Sequence, residues 1–334
     1  MIELSVIIPT RNRCTYLDLT LNSIFNQTFD KNLFEVIIID NGSTDATKDV
    51  VHSYKDKILH LIYHYDERPG LHVGRHDGYM LSKSDFLVYA DDDIEAFPSW
   101  LEAIYNSFKD KEVVLVGGKD LPRYEAKPPF WIQQKWYQLC PEGHCLSDLS
   151  LIDLGEKEKE ISPFYVYGCN FAIRKETVKD AGGFHPDGVP FEMIQYRGDG
   201  ETHICRYIKN NHLKVLYNPL ASVYHYVPKD RMTIDYFCQR AFRAGVERSY
   251  VTLRNNYGNK VEEMNLRKRI INALKIVSGF STYRLILSVL SQLRMTDIDK
   301  QIKNSEDIGF QYHQKMYKEN EYLQEWVHKA DYWD

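Results

Sequence analysis

The sequence lacks long apolar runs, and no segment approaches the roughly 18 consecutive apolar residues of a membrane-spanning helix. It also lacks a basic excess, because its 334 residues carry a formal net charge of -5, which argues against a nucleic-acid partner. No signal-peptide pattern precedes the first predicted strand. We therefore expect a globular protein located in the cytoplasm.

Cysteine is scarce and scattered. The sequence has six cysteines, and no pair of them has the spacing of a zinc ribbon. A chain of this length also needs no disulfides for its stability. Cys140 and Cys145, with His144 between them, have a spacing that is compatible with a metal site, but we expect reduced structural thiols at these positions.

A glycine-rich phosphate loop is absent after the first predicted strand. Residues 9–13 read PTRNR and contain no glycine. Dinucleotide-dependent dehydrogenases carry Gly-x-Gly-x-x-Gly at this place, and nucleotidyltransferases usually carry a glycine-rich loop with Lys or Arg. The segment therefore disfavours both classes of enzyme.

Apolar strands alternate with helical segments over residues 1–118, which predicts βαβ units around a mainly parallel, Rossmann-like sheet flanked by helices. Polar clusters follow three of the predicted strands, at residues 9–11, 40–41 and 91–93. The carboxyl ends of parallel strands lie at one edge of a sheet, and ligands of such folds bind there. The three clusters are therefore predicted to converge on one binding site.

The rest of the chain is patterned differently. Residues 119–229 are less regular, and residues 230–334 are predicted to be mostly helical. An apolar stripe with basic neighbours runs along residues 266–277, as in helices that lie on anionic membrane surfaces. Packing against the rest of the protein explains the same stripe. A peripheral membrane contact is therefore one of two interpretations of this helix.

Three adjacent carboxylates, Asp91, Asp92 and Asp93, follow the apolar run 86–90. Side chains alternate along an extended segment, so Asp91 and Asp93 point to one side and share a target, with Asp92 as the spacer. Hard cations such as Mg²⁺ and Mn²⁺ prefer oxygen ligands of this kind. When the triplet is considered by itself, an ordinary acidic turn after a strand is an alternative explanation. Its place at the predicted binding edge favours a metal site instead.

Five segments in register resemble the family 2 glycosyltransferases, and they lie at residues 6–13, 35–40, 41–45, 91–93 and 98–101. The first reads VIIPTRNR, and the fourth is the Asp-x-Asp motif of that family. The resemblance implies an inverting enzyme with an α/β domain of the GT-A type and a helical C-terminal extension.

The resemblance covers roughly residues 3–226 and implies a division of the chain. Residues 1–118 are expected to be the half of the GT-A domain that binds the nucleotide-sugar. Residues 119–229 are expected to be its acceptor and catalytic half. Residues 230–334 are expected to form a helical C-terminal region.

The resemblance also implies roles for single residues. It implies a pocket for a nucleotide-diphosphate sugar, with UDP as the expected nucleotide, whose residues are Pro9, Thr10, Arg11, Asp40, Arg75, Asp91 and Asp92. Asp40 is expected to accept a hydrogen bond from the base, and Arg75 to contact the nucleotide. A Mn²⁺ or Mg²⁺ ion is expected on Asp93, Asp91 and His225.

A base completes the implied chemistry, because the hydroxyl of a glycan or lipid-linked acceptor is a poor nucleophile. The family uses an acid that opens a helix, and the matching residue is Glu201, with Asp199 as its rival. His76 stands where the family usually has Asn. The expected function is a metal-dependent inverting glycosyltransferase. The alternative is a non-catalytic, nucleotide-sugar-binding member of a glycan-assembly complex.

Overall fold

The computed structural model describes residues 1–258 and 296–333, and it divides into two compact units. The first unit comprises residues 1–233 together with residues 329–333, and the second comprises the described residues in between. The basic amphipathic helix predicted at residues 266–277 lies outside the described residues.

The first unit contains all strands of the described residues, and they form two sheets. Apolar and β-branched residues fill the longer strands, and such residues fit the pleated surface of a buried sheet. In chain order, the strands are β1 (Leu4–Thr10), β2 (Phe34–Asp40), β3 (Leu61–Tyr65), β4 (Phe86–Ala90), β5 (Ile94–Ala96), β6 (Val113–Gly117), β7 (Asp120–Tyr124), β8 (Leu139–Cys140), β9 (Gly143–Leu146), β10 (Leu151–Asp153), β11 (Lys159–Glu160), β12 (Asn170–Arg174), β13 (Lys214–Tyr217) and β14 (Val223–Val227).

The larger sheet has eight strands in the order β11-β13-β6-β12-β4-β1-β2-β3. Strands β4, β1, β2 and β3 run parallel, and their register places Thr10 beside Asp40. Strand β12 runs antiparallel to both of its neighbours, β4 and β6, so the sheet is mixed. Every residue of β1 and β2 is buried, as expected for strands that are covered on both faces. The α/β fold predicted from the alternation of elements is confirmed.

Helices cover both faces of this sheet because successive side chains of a strand point to opposite faces. Val36 and Ile38 belong to one apolar core, which includes Leu17 and Leu21 of the first helix. Ile37 belongs to the other core. In chain order, the described helices are α1 (Cys14–Phe25), α2 (Thr47–His52), α3 (Leu71–Leu81), α4 (Trp100–Ser107), α5 (Phe130–Tyr137), α6 (Lys175–Asp180), α7 (Glu201–Asn210), α8 (Ile234–Gly258), α9 (Asp297–Glu319) and α10 (Glu321–His328).

A second sheet of six strands, in the order β5-β14-β7-β10-β9-β8, was not predicted. Its longest strands, β7 and β14, have five residues each, and β8 has only two. Strand β14 pairs with β7 in parallel and with β5 in antiparallel orientation, which places His225 opposite Pro122 and Ile94.

The chain passes from the larger sheet to the smaller one at three places, which are residues 91–93, 118–119 and 218–222. The second and third crossings touch each other through their main chains. A Cβ atom at Gly118 would lie 1.6 Å from the carbonyl oxygen of Ala221, so only glycine fits there. The first crossing, which is the acidic triplet, is tied to β14 by a hydrogen bond of 2.9 Å from the Tyr226 N–H to the Asp93 carbonyl.

The described part of the second unit consists of helices, as predicted for the C-terminal region. Helices α8 and α9 approach closely at two glycines. A Cβ atom at Gly245 would lie 1.9 Å from the carbonyl oxygen of Glu306, and one at Gly309 would lie 2.0 Å from that of Phe242. Among the described helices, none combines the length and the apolar composition that crossing a membrane requires.

A buried polar network joins the two sheets of the first unit. Nε1 of Trp100 donates to Oδ1 of Asn170 at 2.9 Å, and Nδ2 of Asn170 donates to Oδ1 of Asp120 at 3.0 Å. Burial raises the pKa of Asp120 to about 7, and the hydrogen bond from Asn170 only partly offsets this rise. Asp120 therefore keeps its proton in the folded protein at pH values where the unfolded chain has released it.

Replacing this carboxyl group, in Asp120→Asn, is expected to change how stability depends on pH. In the wild type, the proton on Asp120 stabilises the folded state fully below about pH 4, and this contribution falls as the pH rises towards 7. The slope is at most about 1.4 kcal/mol per pH unit. Urea unfolding at pH 5 and pH 7, with chelator present, measures the free energy of unfolding. From pH 5 to pH 7, the free energy of unfolding of Asp120→Asn should rise relative to that of the wild type. The exposed control Asp56→Asn should show no such relative change. Parallel pH profiles for Asp120→Asn and the wild type contradict the prediction.

Candidate active site

A cavity of about 270 Å³ opens at the edge of the larger sheet where β1, β2 and β4 end. It is bounded by these strand ends, by the start of α3 and by the loop before α7. The residues that line it are Pro9, Thr10, Arg11, Arg13, Asn41, Gly70, Leu71, Asp91, Asp92 and Gly188. The structure thus brings together five of the residues predicted for the donor pocket, namely Pro9, Thr10, Arg11, Asp91 and Asp92.

Asp92 is buried and is held by residues at the end of β1. Oγ1 of Thr10 donates to Oδ2 of Asp92 at 2.6 Å, and Nη1 of Arg13 lies 3.1 Å from Oδ1. Burial raises the pKa of Asp92 to about 7, although the charge of Arg13 opposes this rise. Asp92 therefore anchors the acidic triplet to β1 in addition to lining the cavity.

Asp93 is surrounded by three cationic or basic side chains. Nη2 of Arg13 lies 2.5 Å and Nη1 of Arg231 lies 3.2 Å from its Oδ2, and Nε2 of His225 lies 3.2 Å from its Oδ1. Burial alone would raise the pKa of Asp93, but His225 and the two arginines outweigh it and hold this pKa well below its usual range. Burial alone would lower the pKa of His225, and the charge of Asp93 raises it instead.

Asp91, Asp93 and His225 form a candidate metal centre. Each offers one ligand atom, and these atoms lie within 4.8 Å of one another. Oδ1 of Asp93 and Nε2 of His225 are buried, and neither has another hydrogen-bond partner among the described residues. Two carboxylates and an imidazole suit a divalent cation such as Mn²⁺, so the residues present fit the expected ion.

Asp40 lies at the end of β2 but is engaged on both carboxylate oxygens. Oδ1 accepts a hydrogen bond of 2.7 Å from the Ser43 N–H, and Oδ2 accepts one of 2.7 Å from the Tyr63 hydroxyl. The next residue, Asn41, lines the cavity. The structure therefore places Asp40 as a brace for the turn after β2, beside the cavity, and its predicted contact with the base stays a prediction.

Arg75 and Glu201 form an ion pair. Arg75 lies on α3 and is 2 % exposed, and its Nη1 lies 2.9 Å from Oε2 of Glu201, the first residue of α7. Nη1 also lies 3.5 Å from Oδ2 of the buried Asp187. Burial alone would raise the pKa of Glu201, but Arg75 outweighs it and lowers this pKa. Glu201 is therefore ionised at neutral pH, as a proton acceptor must be.

Asp199, the rival of Glu201, is committed to a different cluster. Its side chain is 2 % exposed, one oxygen lies 2.5 Å from Nδ1 of His185, and the other is paired with Arg206. The ring of His185 in turn stacks on that of His203 at 3.5 Å. The structure therefore places Asp199 inside a buried ion pair, whereas the Glu201 side chain is 27 % exposed.

Three charged residues of the site were not predicted, and they are Arg13, Asp187 and Arg231, whereas Asn41 belongs to the predicted cluster at residues 40–41. A general signal existed for the two arginines, since a buried acidic triplet requires cations. Arg13 is the last residue of the PTRNR segment, so it closely follows a cluster that was predicted to lie at the binding site. Asp187 lies in an irregular segment and Arg231 in a 3-10 helix of four residues, and neither segment is long enough to show a periodic pattern that marks the side chains that turn inwards.

Comparison with known proteins gives a consistent result. Residues 5–182, which are more than half of the chain, match the family described as Glycosyl transferase family 2. Validoxylamine A glucosyltransferase of Streptomyces hygroscopicus subsp. jinggangensis (strain 5008) is 40% identical over 103 residues, which are 30% of this chain and 24% of that protein. The chain thus spans about a quarter of the length of this relative. Glucosyl-dolichyl phosphate glucuronosyltransferase of Haloferax volcanii is 25% identical over 246 residues, which are 70% of this chain and 72% of that protein.

Solved structures give the same fold. A mannosyltransferase of Pyrobaculum calidifontis, in complex with GDP-Man and Mn²⁺, superposes with a TM-score of 0.56 at 16% identity, over 94% of this chain and 86% of that chain. Residues 1–349 of TarS from S. aureus, in complex with UDP-GlcNAc, superpose with a TM-score of 0.52 at 17% identity, over 95% of this chain and 92% of that chain. With the family match and the acidic, strand-end site, these likenesses lead to one conclusion: the chain belongs to glycosyl transferase family 2 and is a glycosyltransferase with the GT-A fold.

Proposed function

We propose that this glycosyltransferase is metal-dependent and inverting, and that it transfers a sugar from a nucleotide-diphosphate sugar, with UDP as the nucleotide, to a hydroxyl of a glycan or lipid-linked acceptor. The observation that carries the proposal is the pairing of two groups at one sheet edge. Asp91, Asp93 and His225 offer three metal ligands. The charge of Asp91 also interacts with those of Arg75 and Glu201, which supports a base close to the proposed metal ligands.

The proposed metal is Mn²⁺ or Mg²⁺, held by Asp91, Asp93 and His225. Such an ion supplies positive charge that stabilises the departing diphosphate. Arg13 and Arg231 lie on the same carboxylate, Asp93, and add fixed positive charge at this place. The Mn²⁺ in the structurally similar mannosyltransferase supports the proposal of a divalent ion in this chain.

The proposed base is Glu201. Its carboxylate takes the proton of the acceptor hydroxyl while the hydroxyl oxygen attacks the anomeric carbon on the face opposite the diphosphate, which inverts the configuration. Arg75 fixes the carboxylate through the contact of 2.9 Å and keeps it ionised. Asp199 is less suited to this role because both of its oxygens are engaged.

The proposed donor pocket is the cavity lined by Pro9, Thr10 and Arg11, with Asp40 and Arg75 beside it. The UDP-GlcNAc and GDP-Man in the two similar structures support a nucleotide-diphosphate sugar as donor, and the proposal of UDP rests on the family resemblance. The division into a donor half, residues 1–118, and an acceptor half, residues 119–229, belongs to this proposal. A cytoplasmic location and a peripheral membrane contact stay predictions.

A second candidate is a non-catalytic protein that retains the nucleotide-sugar pocket. The observation that favours it is the ion pair between Arg75 and Glu201, because an acid with a lowered pKa is a weaker base. Binding of UDP and Mn²⁺ without turnover of any sugar nucleotide, with or without acceptor, supports this candidate.

Removing the carboxylate of Asp93, in Asp93→Ala, is expected to weaken metal binding at the proposed site strongly. The affinity for Mn²⁺, measured by electron paramagnetic resonance titration, should fall at least about ten-fold, and turnover should fall by about a hundred-fold or more. The exposed control Asp56→Ala should bind Mn²⁺ as the wild type does. Unchanged Mn²⁺ affinity in Asp93→Ala excludes Asp93 as a ligand.

Replacing the proposed base, in Glu201→Gln, is expected to lower turnover by about 10²- to 10⁴-fold, because the acceptor proton loses its destination. UDP and Mn²⁺ affinities, measured by calorimetry, should stay within about two-fold, since Glu201 is not one of the proposed ligands. The comparison variant Asp199→Asn tests the rival. If it loses turnover while Glu201→Gln retains it, the assignment of the base is wrong. In the wild type, Arg75 lowers the pKa of Glu201, so the proposed base should itself stay ionised at neutral pH.

A further inference from the structure

Residues 329–333 pack against helix α3 of the first unit. The indole of Trp333 lies over the imidazole of His76, with ring centroids 4.2 Å apart and ring planes inclined by 30°. The same indole contacts Tyr79, one turn further along α3, at 4.9 Å between centroids. Tyr332 is 2 % exposed, and its ring meets that of His185 edge-on at 5.3 Å.

The chain opposite Trp333 leaves room for its indole. Gly183 has a φ of +86°, a conformation that favours glycine. A Cβ atom at this position would lie 2.9 Å from the Trp333 ring and 2.7 Å from Nε2 of His76. Any other residue would therefore push against both rings, so the turn, His76 and Trp333 fit together as one packed group.

His76 connects this group to the turn. Its Nε2 accepts a hydrogen bond of 2.8 Å from the Phe184 N–H. Burial, with a smaller effect of His72, lowers the pKa of His76 to about 3, so the imidazole is neutral and remains an acceptor at physiological pH. This hydrogen bond gives His76 a structural role at the turn.

Phe184 connects the group to the proposed base. The guanidinium of Arg75 lies over the Phe184 ring at 5.0 Å from its centroid, and Nη1 of Arg75 reaches Glu201 at 2.9 Å. The packed rings of His76 and Trp333 thus hold Phe184 through its main chain, and the Phe184 ring in turn supports the guanidinium of Arg75.

We propose that Trp333 is a positioning residue for the transfer reaction: by packing on His76 it fixes α3 and the turn at Phe184, and thereby the Arg75–Glu201 pair. The inference rests on the proposed function, in which Glu201 is the base. Trp333 is not among the residues that line the cavity or form the metal group, so it acts indirectly, through Arg75 and Glu201, and its loss should affect the chemical step more than the binding of donor or metal.

The test compares Trp333→Ala with Trp333→Phe, which keeps an aromatic ring on His76. The control Trp326→Ala removes an indole that packs near Tyr322 on α10. In Trp333→Ala, kcat should fall about ten- to hundred-fold, because small misplacements of reacting groups are costly. The affinity for Mn²⁺ should stay within about two-fold, the affinity for UDP should fall by less than kcat does, and Trp333→Phe should recover most of the activity.

Hydrogen exchange read by mass spectrometry provides a readout that needs no activity. Trp333→Ala should speed the exchange of the Phe184 amide and of α3, and Trp326→Ala should leave both unchanged. Unchanged exchange in Trp333→Ala overturns the proposal, as does wild-type kcat or a loss of UDP affinity that matches the loss of kcat. If the wild type turns over no donor while exchange changes as expected, the proposed function fails and the coupling of Trp333 to α3 stands.

Discussion

The structure depends on how it accommodates negative charge at residues 91–93. Burying a carboxylate costs several kcal/mol unless cations or donors compensate it. Arg13 and Arg231 reach the triplet from different parts of the chain, and His225 comes from the second sheet. The cluster therefore forms only when β1, β4, β14 and the segment after β14 are all in place, so the assembled fold and the proposed metal site have the same requirements.

The site lies where the two sheets of the first unit meet. The triplet is the crossing from β4 to β5, and His225 belongs to β14, which pairs with β5. Each sheet thus supplies part of the proposed metal centre, and α3 and α7 supply Arg75 and Glu201 beside it. Under the proposed function, donor and acceptor must come together in one place, and the meeting of the two sheets is the place that we propose.

The sequence predicted those elements of the fold whose formation depends on residues close together in the chain. The parallel strands β1, β2 and β4 were readable because buried strands are continuous apolar runs, and their ends located Thr10 and Asp92. The second sheet was not readable, since four of its strands have only two to four residues and its strand pairing joins distant parts of the chain. Arg231 and Asp187 were not predicted, because they turn inwards to pair with residues that are distant in the sequence, and no local pattern marks such pairs. The burial of Asp199 against His185 likewise depends on tertiary contacts.

The glycine at position 118 has a consequence for how the site tolerates change. Its contact with Ala221 is one of main chain against main chain, and so is the hydrogen bond from Tyr226 to the Asp93 carbonyl. Both contacts use main-chain atoms, which stay the same when a core side chain is substituted. Natural variation in the cores should therefore lower the melting temperature before it moves His225 away from Asp93, which leaves sequence drift in the interior compatible with a constant spacing of the metal ligands.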